Sequence, residues 1–160
     1  MLRKRILTEP PEAAVPLPGA RDVAALATVL VTSEAPEYPI DNAFNNQGGP
    51  GGSRWVAQAT GVQQIILAFD TPQTLRTVGV EIEELEVSRS QELQMAVSRD
   101  GGQTYQEVVR QGYNFSPPGT TFEREVWTIL AEGVTHLQLL ITPDRENRPC
   151  RATLTTLALQ

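Results

Sequence analysis

Eighteen residues from Tyr38 to Trp55, YPIDNAFNNQGGPGGSRW, narrow the architecture of this chain more than any other segment. They hold four glycines, two prolines and three asparagines, with aromatic residues at both ends. Glycine supplies backbone angles that other residues avoid, proline removes a donor, and asparagine tolerates the left-handed region. The segment therefore cannot be a regular helix or a central strand. It also exceeds the ~12–15 residues beyond which a connector inside a domain is usually functional or disordered. Ala43-Phe44 and Trp55-Val56 are apolar anchors, and strand-like sequence lies on either side. The segment reads as an ordered loop pinned to a β-scaffold by Phe44 and Trp55.

The flanks supply that scaffold. Residues 1–22 carry Pro10, Pro11, Pro16 and Pro18 and read as an extended arm. A short helical turn is expected over 21–27, followed by a strand in the β-branched run Thr28 to Thr32. After the loop the hydrophobic period becomes two: Ile65, Leu67 and Phe69 share a face, as do Val78, Val80 and Ile82. Glu81 and Glu83 then point the other way, toward solvent, as on an edge strand guarded by charge. Leu85 and Val87 break the phase, which places a bulge or strand end near Glu83-Glu84. Leu93, Met95 and Val97 form another inward face. Arg99-Asp100-Gly101-Gly102 signals a hairpin turn, with a return strand over Thr104 to Val109. A break over Gln111 to Thr121 exposes Tyr113 and Phe115. Alternation resumes from Phe122 to Leu130, Leu137 to Ile141 line the core, PDRENRP turns, and Ala152 to Leu159 closes the chain. Seven or eight strands without a convincing long helix specify an all-β sandwich or jelly roll over residues 23–160.

Composition limits the function. A net charge of −6 opposes non-specific binding to phosphate backbones, so nucleic acid is not the expected partner. Basic residues gather only at Arg3-Lys4-Arg5 and at Arg145, Arg148 and Arg151. The single cysteine, Cys150, excludes an internal disulfide framework and a multi-cysteine metal site. No apolar signal region follows MLRKR, and Val23–Val31 is too short to span a bilayer, so a cytoplasmic protein without a membrane segment is expected. Catalysis lacks its usual groups: His136 shares a face with Gln138, opposite Leu137 and Leu139, and no GxSxG, HExxH or P-loop pattern occurs.

Three fragments in order resemble the discoidin family, the coagulation-factor type C domains with a galactose-binding-like jelly roll. Asn42-Ala43-Phe44-Asn45-Asn46 with Ser53-Arg54-Trp55 is similar to the family's Asn-Ala-Phe-Asp-Gly loop and its Thr-x-Trp. Ser98 to Tyr105 resembles its Ser-x-Asp-Gly hairpin, and Ala152 to Leu159 its last strand. The resemblance covers roughly residues 25–160. In calcium-binding members the loop aspartate and a last-strand glutamate help hold a structural calcium. The matching residues here are Asn45 and Thr156, which removes two formal charges and leaves Asn45 as the one candidate metal ligand. No other cofactor is implied.

The resemblance also places ligand sites on loops at one end of the sandwich, here Glu34–Pro39, Glu83–Gln91 and Gln111–Thr121. These carry Tyr38, Arg89, Tyr113 and Phe115, with Arg124 just beyond. Aromatic rings stack on sugar faces, and planar Arg or Asn groups bridge hydroxyls. A non-catalytic carbohydrate-binding module is the first expectation. A protein-interaction adaptor is the second, because the segment from Phe115-Ser116-Pro117 to Phe122-Glu123-Arg124 resembles the N-terminal domain of a eukaryotic DNA strand-break repair scaffold. An accessory domain for an enzyme on another chain is the third. The proline-rich arm suggests a homodimer.

Overall fold

Two strands of 21 residues each, β3 (Gln63–Glu83) and β6 (Phe122–Thr142), run antiparallel to each other through the whole molecule. The computed structural model describes residues 20–45 and 48–160. The expected arm and its role in a dimer fall on residues 1–19, outside the described residues, as do Asn46 and Gln47.

Each long strand serves two sheets because it bends in the middle. The β3–β6 register slips between Ala68 and Thr77, and on β6 Leu130 and Gly133 take positive φ of 49° and 65°. Gln63–Ala68 pair with His136–Ile141 on one side of the bend, and Thr77–Glu83 pair with Phe122–Thr128 on the other. Gln63–Ala68 and His136–Ile141 join β1 (Ala27–Val31), β4 (Arg89–Ser98) and β5 (Gln106–Phe115) in the order β1-β3-β6-β4-β5. Thr77–Glu83 and Phe122–Thr128 join β8 (Thr156–Leu159), which pairs with β3. A two-residue ribbon, β2 (Trp55–Val56) with β7 (Thr153–Leu154), completes eight strands among the described residues. Before β1 lies the expected helical turn, α1 (Val23–Leu26).

Period two explains the core. Ile65, Leu139 and Met95 lie in one cross-strand row, and Leu67, Leu137 and Val97 in the next. All six are buried, and they join Val78, Val80, Ile82, Leu157 and Leu159 of the three-stranded sheet in one core cluster. Facing rows of branched side chains are the unit of sheet stabilisation.

Three expectations need correction. Glu81 and Glu83 are not on a solvent face: they are 5% and 4% exposed. Their strand is central, flanked by β6 and β8, and the glycine-rich loop covers the face that alternation assigned to water. Residues 111–115 are not a loop but the end of β5, paired with β4 from Gln91↔Tyr113 to Arg89↔Phe115. Leu85 and Val87, by contrast, are exposed on the loop after β3 ends at Glu83, so the phase break marks the strand end that was one of its two readings. The closing segment is two strands, split at Thr155, whose amide donates to Glu81 O at 2.8 Å.

The Asp-Gly turn forms as expected, with Gly101 and Gly102 at positive φ. The Asp100 carboxylate accepts from Thr104 Oγ1 at 2.5 Å, from Thr104 N at 2.9 Å and from Ser98 Oγ at 2.7 Å. These bonds hold its carboxyl well below the ordinary 3.8. Asp144 is lowered too, chiefly by its hydrogen bond from Arg148 Nε at 2.5 Å. A carboxyl depressed in the folded state contributes stability above its unfolded pKa and loses it as pH falls toward the folded value. Tm is therefore expected to fall from about pH 5 downward, and less steeply in Asp100→Asn than in the wild type. Parallel curves for the two proteins from pH 6 to pH 3 would contradict the assignment.

Candidate functional site

The strand register puts the C-terminal ends of β1, β5 and β6 and the N-terminal ends of β3 and β4 at one end of the sandwich. The loops expected to carry the ligand site lie at this end, but most of the residues singled out on them hold the protein together instead.

Arg89 is a buried cation. Its Nε lies 2.8 Å from Glu84 Oε1, and its Nη1 donates to the carbonyls of Arg151 at 2.6 Å and Pro143 at 3.2 Å. It ties the loop after β3 to the segment before β7 and is 4% exposed. Phe115 is 3% exposed and belongs to the core, because position 115 is an inward position of a strand and not a loop tip. Tyr113 is 6% exposed for the same reason, so neither ring has a face free for stacking. Tyr38 alone among the aromatic candidates is partly exposed, at 36%. The Arg54 guanidinium sits 5.2 Å from its ring centroid. Asn45 uses its Oδ1 to accept from Ser53 Oγ at 3.0 Å.

Tyr113 and Arg124 do meet, in a cleft of about 430 Å³ lined also by Gln111, Asn114, Thr120, Glu123 and Glu125. The cleft is the seam of the sandwich. β5 is an edge of the five-stranded sheet, and the first half of β6 is an edge of the three-stranded one. Tyr113 donates its hydroxyl to Glu125 Oε2 at 2.6 Å and so stitches the two edges together. Burial first, then the Glu125 hydrogen bond and the charges of Glu125 and Glu123, push the phenol above its ordinary value of 10.0. It therefore donates throughout the neutral range, and Glu125 is held as an oriented acceptor. Asn114 Oδ1 accepts from Ser90 Oγ, which fixes its amide plane. Arg124 Nε lies 3.6 Å from Glu81 Oε1.

The resulting surface is concave and polar, with amide, hydroxyl, carboxylate and guanidinium groups presented from two braced strands. Small-ligand sites use a few placed groups of this kind to fix orientation. Sequence reasoning passed over Glu123 and Glu125, although they alternate in phase with Trp127 and Ile129 on an otherwise inward face. Polar residues at inward positions were the available signal. His136 is half-buried on the outer face, with Nδ1 3.1 Å from Thr135 Oγ1, and pairs with Ser98 near the opposite end.

No protein-family model and no curated protein sequence matches this chain. Solved structures do. One is a family 32 carbohydrate-binding module from a family 31 glycoside hydrolase of Clostridium perfringens, with TM-score 0.64 and 15% identity, covering 88% of this chain and 93% of that one. The family 32 module of C. perfringens NanJ in complex with galactose gives TM-score 0.62 at 11% identity, over 88% and 96% of the two chains. A further C. perfringens family 32 module, in complex with GalNAc-β-1,3-galactose, gives 0.60 at 14%, over 88% and 99%. The chain thus has the galactose-binding-like fold of the discoidin type, as its fragments implied.

Proposed function

We propose that this chain is a non-catalytic module that binds a saccharide in the cleft between β5 and β6. The observation that carries the reading is the braced polar cleft itself, where Tyr113 and Glu125 hold two sheet edges at a fixed separation. Solved structures similar to it include modules in complex with galactose and with GalNAc-β-1,3-galactose, which supports the same ligand class.

The cleft's charge refines the class. Glu123 and Glu125 bring two carboxylates, while Arg124 already lies against Glu81. An acidic sugar entering there would meet two carboxylates against one guanidinium that already faces Glu81. Neutral or amine-bearing saccharides fit. Recognition by hydrogen bonds without an exposed ring to stack on also implies modest affinity and weak salt dependence, unlike phosphate binding.

The test is a glycan array probed with the full chain, followed by titration of any hit at two salt concentrations. Saturable binding to neutral or amine-bearing glycans, with uronic acids silent, is the expected result. A blank array, or binding confined to acidic glycans, would overturn the reading.

A further inference from the structure

The fold family includes members that close the loop before β2 around a structural calcium, and the residues at that place here do not suit one. Calcium takes six to eight oxygen ligands and favours carboxylates. The two positions that the resemblance matches to carboxylate ligands hold an amide and a hydroxyl, Asn45 and Thr156. Asn45 is engaged with Ser53. Thr156 pairs with Glu81, and its hydroxyl lies against Gly48: a Cβ built there would be 2.6 Å from both Thr156 Oγ1 and Glu81 Oε2. Among the described residues, no group of three or more His, Cys, Asp or Glu side chains could hold a metal ion.

What the loop presents is the opposite of a cation cage. Gly49 N donates to Glu81 Oε2 at 2.5 Å, and Gly51 N donates to Glu83 Oε2 at 2.9 Å. Gly49 and Gly51 both have positive φ, 89° and 78°, conformations that need glycine here. Backbone N–H groups gathered by such turns form concavities for anions. In this protein the anions are its own strand carboxylates, 32 residues away in the chain. On their other oxygens, Glu81 lies 3.6 Å from Arg124 Nε and Glu83 lies 3.8 Å from Arg54 Nη1. Among the described residues, two N–H donors and two guanidinium groups already answer the charge of the two carboxylates.

We infer that Glu81 and Glu83 replace the structural calcium, closing the loop by anion-to-amide stapling so that its order is independent of metal. The staple also places the Arg54 guanidinium, which Glu83 holds, over the ring of Tyr38. The glycines of the loop are then explained twice, by the positive φ at 49 and 51 and by the close approach at 48.

Amide hydrogen exchange of the full chain at Gly49 and Gly51, in excess EDTA and again in millimolar calcium, reads the staple directly. Both amides should be protected equally in the two buffers, and Tm should be unchanged between them. In Glu83→Gln the Gly51 amide should exchange more than roughly tenfold faster, and in Glu81→Gln the Gly49 amide should do the same. Should Glu81→Gln fail to fold, Glu83→Gln carries the test alone, because its carboxylate sits at the end of β3. Saturable calcium binding with a rise in Tm, or glycine amides equally protected in wild type and both variants, would overturn the inference.

Discussion

Trp55→Ala is expected to lower Tm by roughly 6–20 °C, a stability effect as large as that of any other single change proposed for this protein. Trp55 is fully buried between the loop and the core, and its indole Nε1 donates to Ser33 O at 3.0 Å. Its own carbonyl accepts from Thr153 Oγ1 at 3.0 Å, and it pairs with Leu154 in the β2–β7 ribbon. Removing the ring leaves a cavity and an unpaired carbonyl, at a cost of about 3–5 kcal/mol for a large aromatic. Domains of ordinary stability have about 5–15 kcal/mol in total, so the variant should be near the limit of folding at 37 °C. The control is Trp127→Ala, where the ring is only partly buried and the loss should be distinctly smaller. Trp55→Ala melting within about 2 °C of the wild type would show that the loop is not anchored through this ring.

The second large effect is on binding. Glu123→Gln should leave Tm nearly unchanged, because this half-buried side chain has no role in the core, and should weaken saccharide binding at least about tenfold if a ligand hydroxyl or amine donates to it. Tyr113→Phe should do two things at once. It removes the 2.6 Å bond that joins the two sheets, costing about 1–2 kcal/mol, and it frees Glu125 to rotate away from the cleft. Phe115→Ala is a poor probe by contrast: its ring is core, so the expected loss of about 3–5 kcal/mol would abolish binding whatever the ligand. Isothermal titration of a hit from the glycan array, paired with a melting curve for each variant, separates these cases. Unchanged affinity in both Glu123→Gln and Tyr113→Phe would move the ligand site out of this cleft.

Much of this molecule was legible in local pattern. Side chains alternate along a strand whatever surrounds it, so Ile65-Leu67-Phe69, Leu93-Met95-Val97 and Leu137-Leu139-Ile141 announced their buried faces from the sequence alone. The Asp100-Gly101-Gly102 turn carried its own chemistry, and the glycine-rich loop declared itself irregular and anchored at Trp55. Fold class, strand number and the place of the long loop follow from such short-range rules.

Tertiary structure alone decided which surfaces are double-covered. Alternation says that Glu81 and Glu83 face away from Val80 and Ile82, which is true, but it cannot say what lies on that side. The loop that folds over them is 32 residues distant in the chain, and its amides turn two apparent surface carboxylates into buried ones. The same blindness misread Tyr113, Phe115 and Arg89, because a Pro- and Gly-rich segment after Phe115 looks like the start of a loop until β4 is known to pair with residues 111–115. The cleft between β5 and β6 exists only where the edges of two sheets approach, and no local period encodes that meeting. Burial from a single neighbour in the chain can be read from sequence, but burial by a partner far along the chain is set by loop closure and packing, which only the folded molecule resolves.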